Sequence, residues 1–70
     1  MPITLAPIGI ELKVLKITAN EDIKRHLEDL GITVGSVLKK IAQSGSSCIC
    51  LVKNVRLALD KDVSIKILVA

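Results

Sequence analysis

Aromatic residues are missing from this chain of 70 residues, which contains no Phe, Trp or Tyr. Small basic β-barrels that hold single-stranded nucleic acid stack the bases on aromatic rings, and modules that bind proline-rich peptides line their groove with such rings. The net charge of +3 would suit a nucleic acid, but the absence of aromatics argues against both ligands. We expect no nucleic-acid partner; the alternative, a nucleic-acid-binding small barrel, predicts salt-sensitive retention on RNA or DNA.

Long apolar runs and a leader sequence are also missing. No window reaches the roughly 18 consecutive apolar residues of a membrane span, and the N-terminus lacks the basic flank and apolar core of a signal peptide. Half of the residues are nevertheless apolar, which opposes intrinsic disorder. A chain this short cannot bury two separate cores. We therefore expect one domain over residues 1–70, in a cytoplasmic protein without direct membrane insertion.

Catalytic motifs are missing as well. No Ser or Cys stands near a His in a familiar nucleophile motif, no phosphate-binding loop is present, and no convincing pair of carboxylates falls in an apolar pocket. We predict a protein that is not an enzyme, with no catalytic or cofactor-binding residues. The cysteines, Cys48 and Cys50, are alternate residues of a predicted strand, so their side chains run parallel and would not pair comfortably. This spacing fits a reducing compartment.

The one clear helix signal lies between Asn20 and Gly31. Asn20 is a good N-cap residue, and the acidic residues after it suit the positive end of the helix dipole. A stripe with helical spacing follows at Ile23, His26, Leu27 and Leu30. Gly31 can adopt the left-handed conformation that ends a helix. The pattern predicts a helix from about Asn20 to Leu30, which must pack its stripe on the rest of the chain because a short free helix is marginal in water.

Strand signals lie on both sides of this helix. Ile10–Ile17 alternates between apolar and charged residues until Leu15 breaks the phase, which suggests a bulge. Lys53-Asn54 is a tight turn, because Asn tolerates a positive φ. The predicted strands are an edge strand at Ile3–Leu5, then Ile10–Ile17, Val37–Ala42, Cys48–Lys53, Val55–Leu59 and, after a charged corner at Asp60–Asp62, Ser64–Val69. This order predicts a mainly β fold: a small SH3-like antiparallel barrel of five to six strands, with the helix plugging one open end.

A series of short motifs runs through nearly the whole chain. A basic residue, Leu, Leu-Gly and a second Gly are followed, after a polar turn, by alternating apolar residues and an Arg-x-Ala-Leu hairpin. The residues are Arg25, Leu27, Leu30-Gly31, Gly35, Cys48, Cys50, Val52, Asn54, Arg56, Ala58-Leu59 and Ile65-Lys66-Ile67. Their order resembles the FeoA family, the ferrous iron transport protein A group. The chain departs from the family pattern at Ser47, Asn54 and His26, where the family often has Pro, Gly and Arg.

The resemblance implies an SH3-like fold and a role beside FeoB, the large membrane protein that carries a cytoplasmic GTP-binding domain and moves Fe²⁺ into the cell. We expect an accessory protein that docks on this partner and modulates transport, peripheral at the inner face of the cell membrane. The chain also resembles the C-terminal domain of metal-dependent repressors of the diphtheria toxin repressor type. That similarity leaves a second interpretation open, a stand-alone module that senses metal or binds a peptide.

A Cys-x-Cys sequence in a chain that resembles iron-transport proteins suggests a metal site. Cys48, Cys50 and Val52 share one face of their strand, and in the family pattern that face is the inward, apolar one. A metal site needs three or four ligands around one point, and only His26 and scattered carboxylates could complete it. We therefore predict core cysteines, no metal ligands and a boundary position for His26. A Cys-based site, redox sensing and weak surface binding of Fe²⁺ are the alternatives.

The opposite face of the same strand is the predicted docking surface. If the cysteines face inward, Ile49 and Leu51 face outward, and Val55 or Leu57 would enlarge this apolar patch. Cover by the N-terminal strand or by the helix within the monomer is one alternative, and a homodimer through this edge is another.

Charge adds to this prediction. Basic residues outnumber acidic ones from Ser36 onward, whereas the two types nearly balance before it. A cationic wall of this kind can steer a domain toward an acidic partner, although scattered lysines that keep a small apolar domain soluble are the simpler interpretation. The residues predicted to contact a partner are Leu30, Gly31, Gly35, Ile49, Leu51 and Arg56.

Overall fold

Five strands and two helices make up the chain, and the computed structural model describes all residues, 1–70. The elements are a 3₁₀ turn at Ile3–Leu5, β1 (Glu11–Ile17), α1 (Glu21–Asp29), β2 (Val37–Ser44), β3 (Ser47–Val52), β4 (Val55–Leu59), the one-turn helix α2 (Lys61–Ser64) and β5 (Ile67–Val69). Neither helix has the length and apolar character needed to cross a membrane.

All strands join one antiparallel sheet in the order β4-β3-β2-β1-β5. β1 pairs with β2 through its first residues and with β5 through its last, with a register shift between Val14 and Lys16. A second shift lies in β2 between Lys40 and Ala42. Such bulges bend strands and increase their twist, so the sheet curls into a small barrel. α2 connects β4 to β5, which share no ladder. The predicted fold class is confirmed, as is the bulge at Leu15.

The core is aliphatic and lies inside this curl. Its buried residues are Ile3, Ala6, Leu12, Val14, Ile17, Leu27, Ile32, Leu38, Cys48, Cys50, Val52, Leu59, Ile67 and Val69. No aromatic ring fills the interior, so its stability comes from many branched side chains, at about 0.8 kcal/mol for each buried CH₂ group.

Local signals set both ends of α1. The Asn20 Oδ1 accepts a hydrogen bond from the Ile23 N–H at 2.9 Å, which confirms the N-cap. At the other end Gly31 has φ +94 and donates its N–H to the Glu28 carbonyl, while Ile32 donates to the Leu27 carbonyl at 2.8 Å. This pair of bonds is a Schellman motif. The helix therefore begins and ends where the sequence predicts.

The helix stripe is only partly covered. Leu27 is fully buried and Ile23 packs against the core, but Leu30 keeps 37% of its surface exposed. Leu30 is the C-cap residue, at the point where the chain turns away. The expectation that Ile23, Leu27 and Leu30 all lie over the barrel interior is therefore wrong at Leu30.

Two segments differ in type from the predicted secondary structure, while β1, β2 and β3 differ from their predicted bounds by one or two residues at their ends. Ile3–Leu5 is a 3₁₀ turn instead of an edge strand, and Pro2 alone forms a bridge, to Leu68. The last strand is shorter than predicted because Ser64 ends α2, Ile65 is the C-cap of that helix and Lys66 lies in a turn. Asp60 accepts a hydrogen bond from the Val63 N–H at 3.0 Å and so caps α2. Asp is a strong N-cap residue, and here it overrides the apolar run that follows.

Candidate docking surface

A tight hairpin fixes which side chains of β3 and β4 share a face. Lys53 and Asn54 both have positive φ, at 50° and 67°, as a two-residue type I′ turn requires. The register pairs Cys48 with Leu59, Ile49 with Ala58, Cys50 with Leu57, Leu51 with Arg56 and Val52 with Val55. Directly opposed residues point to the same side of a sheet, so this register divides the hairpin into two faces.

The inner face of the hairpin holds both cysteines, as predicted. Cys48 and Cys50 are free thiols that are 1% and 0% exposed. Burial raises the pKa of Cys50 from 9.0 to about 11; the neighbouring Cys48 adds to the increase and Lys40 opposes it. Metals and electrophiles react with the thiolate form, which this thiol does not adopt near neutral pH. No group of three or more His, Cys, Asp or Glu side chains is placed to hold a metal ion.

The outer face brings together three of the predicted contact residues. Ile49 is 39% exposed, Leu51 is half-buried, and Arg56 is exposed directly opposite Leu51. The exposed Ala58 lies opposite Ile49. We call the surface of Ile49, Leu51, Arg56 and Ala58 the outer wall. It presents aliphatic groups next to the positively charged guanidinium of Arg56.

The expectation that Val55 or Leu57 enlarges this patch is wrong. Their partners across the hairpin are Val52 and Cys50, which are buried, so both belong to the inner face. Leu57 is half-buried against the core, while Val55 is 56% exposed next to the turn. The turn geometry sets this register, and a shift of one residue would have moved Val55 and Leu57 to the outer face.

The glycines after α1 have conformational roles. A Cβ added to Gly31 would lie 3.5 Å from Val52 Cγ1, so the end of α1 sits against the tip of the β3–β4 hairpin. Gly35, with φ +92, is exposed and donates its N–H to the Val14 carbonyl at 2.8 Å, on β1. Leu30 lines a groove of about 340 Å³ between α1 and the end of β4. The predicted contact residues therefore form separate surfaces, and their docking role remains a prediction.

Sequence reasoning missed one buried charge, Lys40, which is only 2% exposed. Its Nζ donates to the Ile3 carbonyl at 3.1 Å, to the Thr4 carbonyl at 3.4 Å and to Gln43 Oε1. Lys40 thus ties the N-terminal 3₁₀ turn to β2. The sequence did contain a sign of this burial. Alternate residues of a strand point to the same face, and Lys40 follows the buried Leu38 by two residues on β2.

Comparison with known proteins finds one family model and several solved structures that are similar to this chain. A family model described as the FeoA domain matches residues 1–70. A crystal structure of an iron uptake regulatory protein (FeoA) is similar, with a TM-score of 0.83 and 23% identity over 99% of this chain and 92% of that one. The FeoA protein of Chlorobium tepidum has a TM-score of 0.86 and 21% identity, over 99% of this chain and 68% of that one. For a FeoA-like protein from Clostridium acetobutylicum the values are 0.81 and 21%, over 100% and 84%.

Among curated proteins, none matches the sequence. Because the solved structures are less than 25% identical to this chain, their similarity establishes only the fold. Membership of the family is established by the family model, which spans the whole chain. The chain belongs to the FeoA domain family, and this membership implies a role in ferrous iron transport.

Proposed function

We propose that this chain is a non-enzymatic cytoplasmic accessory of ferrous iron uptake, which docks on the cytoplasmic GTP-binding part of the membrane transporter FeoB and modulates transport. Family membership supports the iron-transport role. The outer wall supports the docking step, because Ile49 and Arg56 are exposed around Leu51 on the β3–β4 hairpin. Through this partner the protein is held at the inner face of the cell membrane.

The outer wall has the chemistry of an interface centre. Aliphatic groups next to an arginine can be desolvated by a partner, and Arg is among the residue types enriched in binding hot spots. Complete burial of an exposed Ile or Leu contributes about 1.5–3 kcal/mol. Since Ile49 and Leu51 are already partly covered, their shared contribution lies toward the lower end of that range.

A pull-down from membranes that contain the transporter tests the proposal. We expect the wild-type protein to be retained and Leu51→Asp to lose most of that retention, because the partner would have to desolvate a carboxylate. Leu15→Asp is the matched control: Leu15 is a strand residue that is 49% exposed and lies away from the outer wall, at the bulge of β1. Circular dichroism establishes that both variants are folded.

Two results would contradict the proposal. One is no enrichment of the wild-type protein on transporter membranes over membranes without the transporter. The other is equal retention of wild type and Leu51→Asp, which would show that the outer wall is not the docking surface.

A further inference from the structure

The two edges of the sheet differ in whether other parts of the chain hydrogen-bond to their backbone. At the β5 edge, the Met1 ammonium donates to the Val69 carbonyl at 2.9 Å and the Val69 N–H donates to the Met1 carbonyl at 2.7 Å. Pro2 continues this cover as a bridge to Leu68. At the other edge β4 is the terminal strand, and no turn, loop or cap hydrogen bond involves the backbone of Arg56 or Ala58. One edge is capped and one is open.

The hairpin register identifies the free groups of the open edge. In a hairpin with a two-residue turn, the residues flanking the turn form a hydrogen-bonded pair, and bonded and non-bonded pairs then alternate. Val52 and Val55 flank the turn, so Arg56 and Ala58 occupy the non-bonded positions. Their N–H and C=O groups point away from β3, and both residues are exposed. These groups are free to bond an added strand.

A groove runs beside this edge. It has a volume of about 340 Å³ and separates α1 from the end of β4. Its apolar lining comes from Ile23, Leu27, Leu30, Ala58, Leu59 and Val63. A strand added to β4 would place alternate side chains on the side of Leu59, toward α1, where this apolar lining would receive them.

Charge gives the groove a direction. Asp22 and Asp60 both line it. Because the end of α1 lies against Val52 and Lys53 at the hairpin tip, the helix runs opposite to β4, and its start lies near the end of that strand. The two carboxylates therefore mark one end of the edge, while Lys53 and Arg56 mark the other. This acidic end contrasts with the positive net charge of the whole chain.

We propose that the open edge of β4, together with the α1–β4 groove, binds an extended segment of a partner polypeptide as an additional antiparallel strand. The segment carries a cationic side chain at its amino-terminal end, next to Asp22 and Asp60, and aliphatic side chains at alternate positions, which enter the groove. Backbone bonds to Arg56 and Ala58 supply affinity, and the groove and the carboxylates supply register and direction. This site shares Arg56 and Ala58 with the outer wall, but it uses their backbone groups and the groove on the side of Leu59, whereas the outer wall presents side chains on the opposite face. It does not depend on the identity of the transporter.

A synthetic peptide probes the site without knowledge of the natural partner. The probe has a lysine pair at its amino end followed by alternating Val and Thr, over about eight residues, within the length range of strands in globular proteins. In a titration followed by amide chemical shifts, we expect the largest changes at Ala58, Leu59 and Leu30 and none at β5. The peptide with the reversed sequence should bind about fivefold more weakly, because its lysines would face Lys53 and Arg56.

Variants of Ala58 distinguish backbone pairing at the edge of β4 from nonspecific binding of the peptide. Ala58→Pro removes an N–H that makes no bond to β3, so the hairpin should persist, as proline is tolerated on edge strands at such positions. We expect this variant to bind the peptide at least about tenfold more weakly, since it loses one bond and gains a steric block. Ala58→Thr keeps the N–H and should bind as the wild type does.

Charge variants test the proposal independently of proline. Asp60→Asn keeps a good N-cap for α2 while it removes the charge, and Asp22→Asn is its counterpart on α1. The double variant should bind the peptide about fivefold more weakly at low ionic strength, with less sensitivity to salt.

Several outcomes would overturn the proposal. Absence of shifts at the β4 edge, unchanged binding by Ala58→Pro or by the charge variants, or equal binding of the reversed peptide would each do so. Sedimentation equilibrium tests whether the free protein associates with itself. Self-association that is lost in Ala58→Pro would identify a second copy of this chain as the occupant, and it would also refute the assignment to a partner segment.

Discussion

Replacement of Gly31 tests whether the end of α1 is fixed by backbone conformation. Gly31 has φ +94, in a region that residues with a Cβ rarely adopt. The added methyl group of Gly31→Ala would lie 3.5 Å from Val52 Cγ1, an ordinary van der Waals distance, so the cost is conformational and not a clash. We expect a loss of about 1–2 kcal/mol in the free energy of unfolding.

Thermal unfolding followed by far-ultraviolet circular dichroism measures this loss. In a domain of this size each kcal/mol lowers Tm by about 4–8 °C, so Gly31→Ala should unfold roughly 4–16 °C below the wild type. Gly35→Ala is the matched control, since φ there is +92 and a Cβ would meet nothing within 4 Å. Equal losses in the two variants would show that φ alone sets the cost.

The outcome that contradicts this reasoning is a Gly31→Ala protein as stable as the wild type, which would mean that the helix can end without a left-handed residue. A second measurement addresses function. If Gly31→Ala, kept well below its Tm, is retained on transporter membranes like the wild type, then Gly31 serves the fold and is not a contact residue.

Three further predictions concern the interior. Lys40→Met should lower the free energy of unfolding by about 1–3 kcal/mol, because the Thr4 carbonyl and Gln43 Oε1 lose their donor. Hydrogen exchange should accelerate at the amides of the 3₁₀ turn. Unchanged protection of these amides would contradict the conclusion that Lys40 ties the turn to β2. The folded protein holds the Cys50 proton more tightly than the unfolded chain, so the free energy of unfolding should fall as pH rises from 9.0 to about 11. The slope is at most about 1.4 kcal/mol per pH unit; Cys50→Ala should flatten this fall, and an identical slope in the variant would refute the assignment. Titration with Fe²⁺, Mn²⁺ or Zn²⁺ under reducing conditions should show no saturable site, because the buried thiols have no third ligand beside them; a stoichiometric endpoint would favour the metal-sensing alternative.

Local signals allowed much of the fold to be predicted from the sequence. The cap at Asn20 and the stop at Gly31 are properties of single residues, and the structure confirms both. The alternation of Cys48, Ile49 and Cys50 likewise defines two faces without further information. Such features need only neighbours along the chain, which is why they could be found.

Other features depend on distant parts of the chain. The faces of Val55 and Leu57 follow from the register of the hairpin, which their own apolar pattern does not determine. Burial of Lys40 requires carbonyls from the N-terminal turn, and no local rule places those next to β2. The candidate docking residues were predicted as two regions, one on the barrel and one at the end of α1, and their relative placement follows from the packing of α1 against the tip of the hairpin, which no local pattern determines.

The pairing of β1 with β5 also bears on how the chain folds. Val14 lies opposite Val69, so this ladder joins residues from opposite ends of the sequence, whereas β2, β3 and β4 form a meander of neighbouring hairpins. Loop entropy makes such distant pairings slow, and folding rates fall as their share grows. The meander is therefore expected to assemble first, and the union of the two termini would be the late step that completes the barrel.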